Sequence, residues 1–482
     1  MITKLFAPRY YYAAVGLVAA LFIGSLLNRH LHFDDAWSAE QAFWLRRDGY
    51  VHSELFRGFG GWENRLYIFH KGYIYALAAV TAVLGERLWA VKSAALLFAV
   101  GGLLLLLRYF RGQAEAQWLA TGLYLGCGTL MLFGFAGRPE TMVMFFGLAS
   151  YLVLSKANGP AAYALAGGLA GVAGLTHPNG VLYMAAGALW LLWGGAGWRP
   201  MSWFAIPSAI VLGLFGLDAA LAGELPVLAS QFLHYPVVAP NLHWLSKLKV
   251  MADYHSLFFH SEGEATLSVL LLLTLLLAGR RASVPRLSPA GRYLLLLVGL
   301  FWLLTKSPTA YYFLLFVPFC CIVIVETALA HFPQMPRPRQ LALLLVLALY
   351  PLGSAARFRH IWRENHAYPP AEAENARLAA HMPRHGAKVI APLDFIFGQF
   401  EQYRIRGLTF LAAQSTPLPQ VFQRAASDSV EYIITDYRTV NDVYHIPPDA
   451  PSRIGQYQRV YQDAWHGVYV RQPTDNPQLI NR

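Results

Sequence analysis

Charged residues are scarce in this chain. Only 13% of its 482 residues are Asp, Glu, Lys or Arg, about half the share of a soluble domain, and 56% are apolar, so a wholly water-soluble protein is excluded. There are three cysteines, Cys127, Cys320 and Cys321, all within apolar runs. They form neither a disulfide framework nor a metal-ligand spacing, and a packing role fits them. Also missing are a phosphate-cradling glycine loop, a serine nucleophile elbow and a His-Glu-x-x-His motif. Nucleotide hydrolysis and metalloprotease chemistry therefore have no support. No repeat of solenoid period and no low-complexity tract interrupts the pattern.

What is present is a series of apolar runs at 10–27, 88–107, 114–135, 140–155, 160–176, 178–194, 201–222, 264–279, 292–305, 308–330 and 340–355. Most come close to the ~17–25 residues that cross hydrocarbon. They predict a polytopic α-helical membrane protein with about eleven transmembrane helices. The first run is long for a signal peptide and no small-x-small site follows it, so it reads as an uncleaved span. The run 72–85 is expected to dock at the membrane surface. With it out of the bilayer, Lys4, Arg9, Arg108, Arg111, Lys156, Arg199, Arg280, Arg281, Arg286, Arg337 and Arg339 all fall on the cytoplasmic side, as the positive-inside rule requires. The net charge of +11 is thus read as topology, and no nucleic-acid partner is implied.

An odd number of spans carries the C-terminus across the membrane. The loop 28–87, the long loop 223–263 and the turns at 138–140, 177–179 and 306–307 then share the outer face. Two domains are expected: a transmembrane domain over 1–355 that includes the loop 28–87, and a small soluble α/β domain over 356–482. In the second, PAEAENARLAAHM reads as a helix, and AKVIAPL, VEYIITDY, YQRVYQDAW and GVYVRQP read as strands.

The first loop carries Asp34 and Asp35 just after the first span, and Glu63, His70 and Lys71 toward its far end. One aspartate reads as the N-cap of the amphipathic stretch AWSAEQAFWLRR. A carboxylate beside a low-dielectric surface reads equally as a general base. The two readings are compatible, one aspartate capping while its neighbour reaches a cleft. Glu140 after Pro139 fits an ordinary helix start, whereas the positive Arg138 opposes the helix dipole there. His177 is either a solvated turn residue or a site residue. Lys306 stands outside against the positive-inside trend, just ahead of Tyr311 and Tyr312, which fit an aromatic belt as well as a site. Lys92 lies four residues into a span, where a charge marks function unless it snorkels to the surface. Carboxylates and cations at one membrane face suit transfer of a group from a lipid phosphate. The carboxylate activates an incoming hydroxyl and the cations stabilise the departing phosphate.

Five segments in order, HFDDAWSAEQAFWL, IFHKGYIYALAAVTAVLGERLWAVKSAALL, GRPETMVMFFGLASYLVL, LTHPNGVL and TKSPTAYYFLLFVPFCCIVI, resemble the dolichyl-phosphate-mannose protein mannosyltransferase superfamily of GT-C glycosyltransferases. Its bacterial branch, similar to the lipid A aminoarabinose transferase, is the nearest in pattern. The resemblance covers residues 1–355, and the tail is more loosely similar to the extracytoplasmic domains of such proteins. It implies inverting transfer of a hexosyl or pentosyl group from a polyprenyl-phosphate-linked sugar. Asp34 would be the base or acceptor-binding carboxylate, with Asp35 second. Glu140 takes the place of a family aspartate. Lys71, Lys92, Arg138, Lys306 and Tyr311 would serve the donor phosphate, and Glu63, His70 and His177 the substrates. Lys92 stands where an arginine is common, which keeps charge but loses a bidentate grip. His70-Lys71-Gly72 stands where the family often has a basic residue followed by prolines.

The resemblance implies no certain cofactor and leaves a divalent metal open. Its partners would be a polyprenyl-phosphate sugar, the bilayer, and a glycolipid, polysaccharide or protein acceptor. The location implied is a bacterial inner membrane with the C-terminal domain periplasmic. A lipid-linked saccharide transporter is a competing reading, but it predicts ionisable residues spread through the spans, and 96–107 and 267–278 contain none. A non-catalytic envelope scaffold is the other, and it predicts that Asp34→Ala leaves function intact.

Overall fold

The computed structural model describes residues 8–234, 244–278, 287–305, 307–407, 417–437 and 446–472. Contacts divide the chain into two units. The larger comprises Met1–Arg29, His70–Ala76 and Lys92–Ala367, and the smaller His30–Phe69, Leu77–Val91 and Tyr368–Arg482. This division differs from a boundary at 355 in two ways. The helix Arg337–Ala367 runs straight through that position, and the first loop clusters with the tail. Within the smaller unit the ring of Phe43 stacks on Phe400 at 4.7 Å, the Gly407 N–H donates to the Leu55 carbonyl at 3.1 Å, and the Leu88 N–H donates to Glu372 at 2.9 Å.

The larger unit is helical because its sequence offers long stretches of Leu, Ala and Val in which every backbone group can be satisfied inside the helix. Glycine and proline punctuate those stretches: Pro160 opens Pro160–Thr176 directly after Gly159, and Gly194 caps Val181–Trp193. Among the described residues four helices are long and apolar enough to cross a membrane, Leu88–Tyr109, Trp198–Leu221, Val317–Gln334 and the one beginning at Arg337. A fifth candidate is a pair of helices, Lys247–Phe259 and Glu262–Ala278, bent by 88°. Others are apolar but shorter, among them Lys71–Leu84 and Glu140–Leu154.

The count of eleven spans is thus coarser than the helices found, because several runs are broken. The run 114–135 becomes Ala114–Leu125 and Gly128–Phe133, parted at Gly126 and Cys127. The run 308–330 opens with the 3-10 turn Ala310–Leu315 before Val317–His331. The expected long loop 223–263 is instead largely helical, with Leu225–Leu233, Trp244–Ala252 and Ser256–Phe259, since PVLASQFL and WLSKLKVMA have the apolar spacing of helices. Packing between helices uses small residues and ring stacks. Ser208 donates to the Gly167 carbonyl at 2.8 Å, and Tyr293 lies between Tyr151 at 4.8 Å and Phe319 at 5.2 Å. All three cysteines are buried and free.

Among its described residues the smaller unit has six strands: β1 (Lys388–Ala391), β2 (Arg404–Gly407), β3 (Tyr432–Asp436), β4 (Arg453–Ile454), β5 (Tyr457–Gln462) and β6 (His466–Arg471). Their order in the sheet is β2-β1-β3-β6-β5-β4. Pairing is parallel for β1 with β2 and β3, and antiparallel for β3 with β6, β6 with β5 and β5 with β4. Ile390, Ile433, Tyr457 and Tyr469 form its core with Val421 and Phe422 of the helix Leu418–Ser427. The expected strands and the helix Ala371–Ala379 are all present. The strands β2 and β4 have too little apolar sequence to announce themselves and owe their existence to β1 and β5.

Candidate functional site

In the larger unit, three turns next to apolar helices hold the candidate chemistry. The helix Glu140–Leu154 begins at Pro139, which needs no N–H partner. Arg138 precedes it and folds back. Its Nε donates to Glu140 Oε2 at 3.1 Å and its Nη2 to Oε1 at 2.9 Å, a bidentate ion pair in which both residues are buried. The guanidinium carbon lies 3.4 Å from the centroid of the Tyr311 ring. A carboxylate at one edge and an aromatic face beneath thus stabilise a cation that the helix dipole alone would repel. Tyr311 in turn meets Tyr312 edge-on at 4.6 Å and Phe133 at 5.8 Å.

His177 caps the 3-10 turn Pro178–Gly180, its Nδ1 accepting from the Asn179 N–H at 3.0 Å. That acceptor role assigns the neutral ring's proton to Nε2. The turn needs Gly180, because a Cβ there would lie 2.0 Å from the Ala173 carbonyl oxygen. His177 stacks on His70 at 4.7 Å and leans on Tyr312 at 5.7 Å. The meeting of the two histidines depends on Gly72, whose Cβ would lie 2.6 Å from Thr176 Oγ1 and 3.1 Å from its Cα. Burial, then the adjacent His70, holds His177 below the ordinary histidine range against an upward pull from Glu140. Burial likewise lowers His70, again opposed by Glu140. Both rings are therefore neutral near pH 7.

No protein-family model and no curated protein matches this chain. Solved structures do. ArnT from Cupriavidus metallidurans aligns over 96% of this chain and 98% of its own, at 13% identity and a TM-score of 0.63. The same protein bound to undecaprenyl phosphate aligns over 97% and 99%, also at 0.63. The Archaeoglobus fulgidus oligosaccharyltransferase in complex with Zn and sulfate aligns over 95% of this chain and 73% of its own, at 12% identity and 0.52. The chain shares the fold of these structures. At such identities the likeness is one of fold, and the roles of individual residues rest on their own chemistry.

Among the site residues expected from sequence, this chain brings together His70, Arg138, Glu140, His177 and Tyr311. Lys71, the first residue of Lys71–Leu84, is buried and its ammonium pairs with Asp218. Lys92 is 1% exposed within its apolar helix. Lys306 lies outside the described residues, as do Lys4, Arg280, Arg281 and Arg286.

In the smaller unit the expectation that an aspartate caps the amphipathic helix is corrected. The helix is Phe33–Asp48 and its N-cap is His32. His32 Nδ1 accepts from the Asp34 N–H at 3.2 Å, and Asp35 Oδ2 accepts from the His32 N–H at 2.6 Å. An imidazole acceptor closes the capping box in place of serine or threonine, which composition alone does not signal. Asp35 is fully buried in that role, whereas the Asp34 side chain keeps 21% of its surface open, 3.5 Å from His32 Nδ1. Glu63 accepts from the Gly58 N–H at 3.2 Å.

Sequence reading missed Asp218, the partner of Lys71, and Glu40. Glu40 is buried on the helix Phe33–Asp48 and accepts from the N–H groups of Glu54 and Leu55 at 2.6 and 2.9 Å, from Trp44 Nε1 at 3.2 Å and from Ser53 Oγ at 2.5 Å. Burial pushes its carboxyl up to about 7, against those hydrogen bonds. The available signal was a lone Glu on the apolar side of AWSAEQAF. Among the described residues no group of three or more His, Cys, Asp or Glu is arranged to hold a metal ion.

Proposed function

We propose that this protein transfers a sugar, hexosyl or pentosyl, from a polyprenyl-phosphate-linked donor to an acceptor hydroxyl on the periplasmic side of a bacterial inner membrane. The acceptor is a glycolipid, a polysaccharide or a protein. The observation that carries the reading is the buried Arg138–Glu140–Tyr311 cluster, flanked by two neutral histidines, in a chain of GT-C fold. A guanidinium oriented in advance by a carboxylate and an aromatic face can stabilise charge developing on a departing phosphate without reorganising. Lys92, Lys306 and Tyr311 add to the donor-phosphate subsite. Lys71 contributes through its pair with Asp218, and Glu63, His70 and His177 contact the sugar moieties.

The step balances as an inverting displacement. The acceptor oxygen attacks the anomeric carbon from the face opposite the phosphate, and the bond between that carbon and the phosphate oxygen breaks. Asp34 takes the hydroxyl proton, and polyprenyl phosphate leaves as the anion. With Asp35 committed to the His32 backbone, Asp34 is the aspartate of the pair proposed as base. The test is to present the purified protein with a panel of polyprenyl-phosphate sugars and an envelope extract as acceptor. Release of polyprenyl phosphate from at least one donor is expected, and no release from any of them would remove the assignment.

A further inference from the structure

The smaller unit contains a cleft of about 1010 Å³, lined in part by Glu63 but by neither the proposed base nor the donor-phosphate residues. Its volume is at the upper end of the ~300–1,000 Å³ typical of ligand pockets, room for a saccharide rather than a bare inorganic anion. One wall is the face of the sheet edge formed by β1 and β2. Lys388 and Arg404 are register partners on those two parallel strands, and Arg406, two residues along β2, falls on the same face. All three line the cleft.

Like charges side by side on neighbouring strands are destabilising. Arg406 is neutralised by Asp428 at 2.5 Å. Lys388 finds only the Asp428 carbonyl oxygen, at 3.1 Å, and neither Lys388 nor Arg404 makes an ion pair among the described residues. Of the carboxylates that line the cleft, Asp428 pairs with Arg406, Glu54 pairs with Arg57, Glu40 is held by Ser53 and two backbone N–H groups, Glu63 accepts from the Gly58 N–H, and Glu401 is exposed. The half-buried rings of Trp44 and Phe400 also line the cleft. Flat apolar faces beside converging cations match a sugar ring that carries an acidic group.

We propose that this cleft binds an anionic saccharide, with Lys388 and Arg404 taking its carboxylate or phosphate group and Trp44 and Phe400 its ring face. Calling that saccharide the acceptor rests on the glycosyltransferase reading, but its binding does not. The test is calorimetric binding to the full-length protein in lipid nanodiscs, with three probes: an oligouronate, a phosphorylated oligosaccharide and a neutral oligosaccharide of equal length. Binding of at least one anionic probe, and of the neutral one at least about tenfold more weakly, is expected, since each charge-assisted hydrogen bond contributes enough for that ratio. Which anionic probe binds decides between carboxylate and phosphate.

Lys388→Ala/Arg404→Ala should weaken the anionic probe by about tenfold or more. The exposed Arg453→Ala, outside the cleft, should leave it unchanged. Equal binding of the neutral probe, no binding of any probe, or a double variant that binds like the wild type overturns the proposal. Release of polyprenyl phosphate, measured on the same preparation, tells failure of the cleft apart from failure of the enzyme reading.

Discussion

Two buried carboxylates, one in each unit, are stabilised by opposite means. Glu140 in the helical unit is met by a full positive charge, the bidentate guanidinium of Arg138. Glu40 in the smaller unit has no cation among its hydrogen-bond partners, only a hydroxyl, an indole and two backbone N–H groups. The consequence differs accordingly. An ion pair fixes a charge in place, ready to act on another charge. Neutral donors fix a loop, here Ser53 to Leu55, and leave the carboxyl close to protonation at neutral pH. The proposed chemistry accordingly draws on Glu140, and Glu40 serves architecture.

The comparison breaks most severely at the ion pair. Arg138→Ala leaves Glu140 buried without its cation, which should destabilise by about 3–5 kcal/mol, read as a large fall in Tm in detergent. In Arg138→Ala/Glu140→Ala the loss should be clearly smaller than the sum of the single losses. Additive losses would mean that the two side chains do not act as a pair.

The second effect is a pH dependence at Glu40. Its folded pKa, about 7, lies above the ordinary carboxyl value of 4.5, so the folded state binds the extra proton between those values. Its contribution to stability is full below about pH 4.5 and falls as pH rises toward 7, by no more than about 3.4 kcal/mol. Glu40→Gln should flatten the Tm profile of the wild type between pH 5 and 8. An unchanged slope would place the titration elsewhere.

The smallest effect concerns the stacked histidines. Gly72→Ala presses a methyl group against Thr176 and should move His70 off His177, lowering kcat/KM by about tenfold with little change in Tm. Wild-type kinetics would detach that stack from function.

Periodicity and punctuation made the helical framework and the central strands of the tail legible, because apolar runs and β-branched stretches are local signals. The candidate site was legible at residues that break a local rule. Arg138 opposes a helix dipole, and the structure explains it by Glu140 and Tyr311. Partners supplied from a distance were not legible: Asp218 is 147 residues from Lys71, and β2 exists only beside β1. Nor did composition reveal that the first loop packs with the tail, since Phe43 and Phe400 meet only once the chain has folded. The capping aspartate was misread because His32, a residue uncommon as a cap, does the capping.

The most direct test of the account reconstitutes the wild type and Asp34→Asn in lipid, and measures polyprenyl phosphate release alongside binding of polyprenyl phosphate itself. Asp34→Asn should insert normally and bind the lipid as the wild type does, yet turn over slower by about 10²-fold or more. Near-normal release by Asp34→Asn would contradict the assignment of the base and, with it, the proposed mechanism.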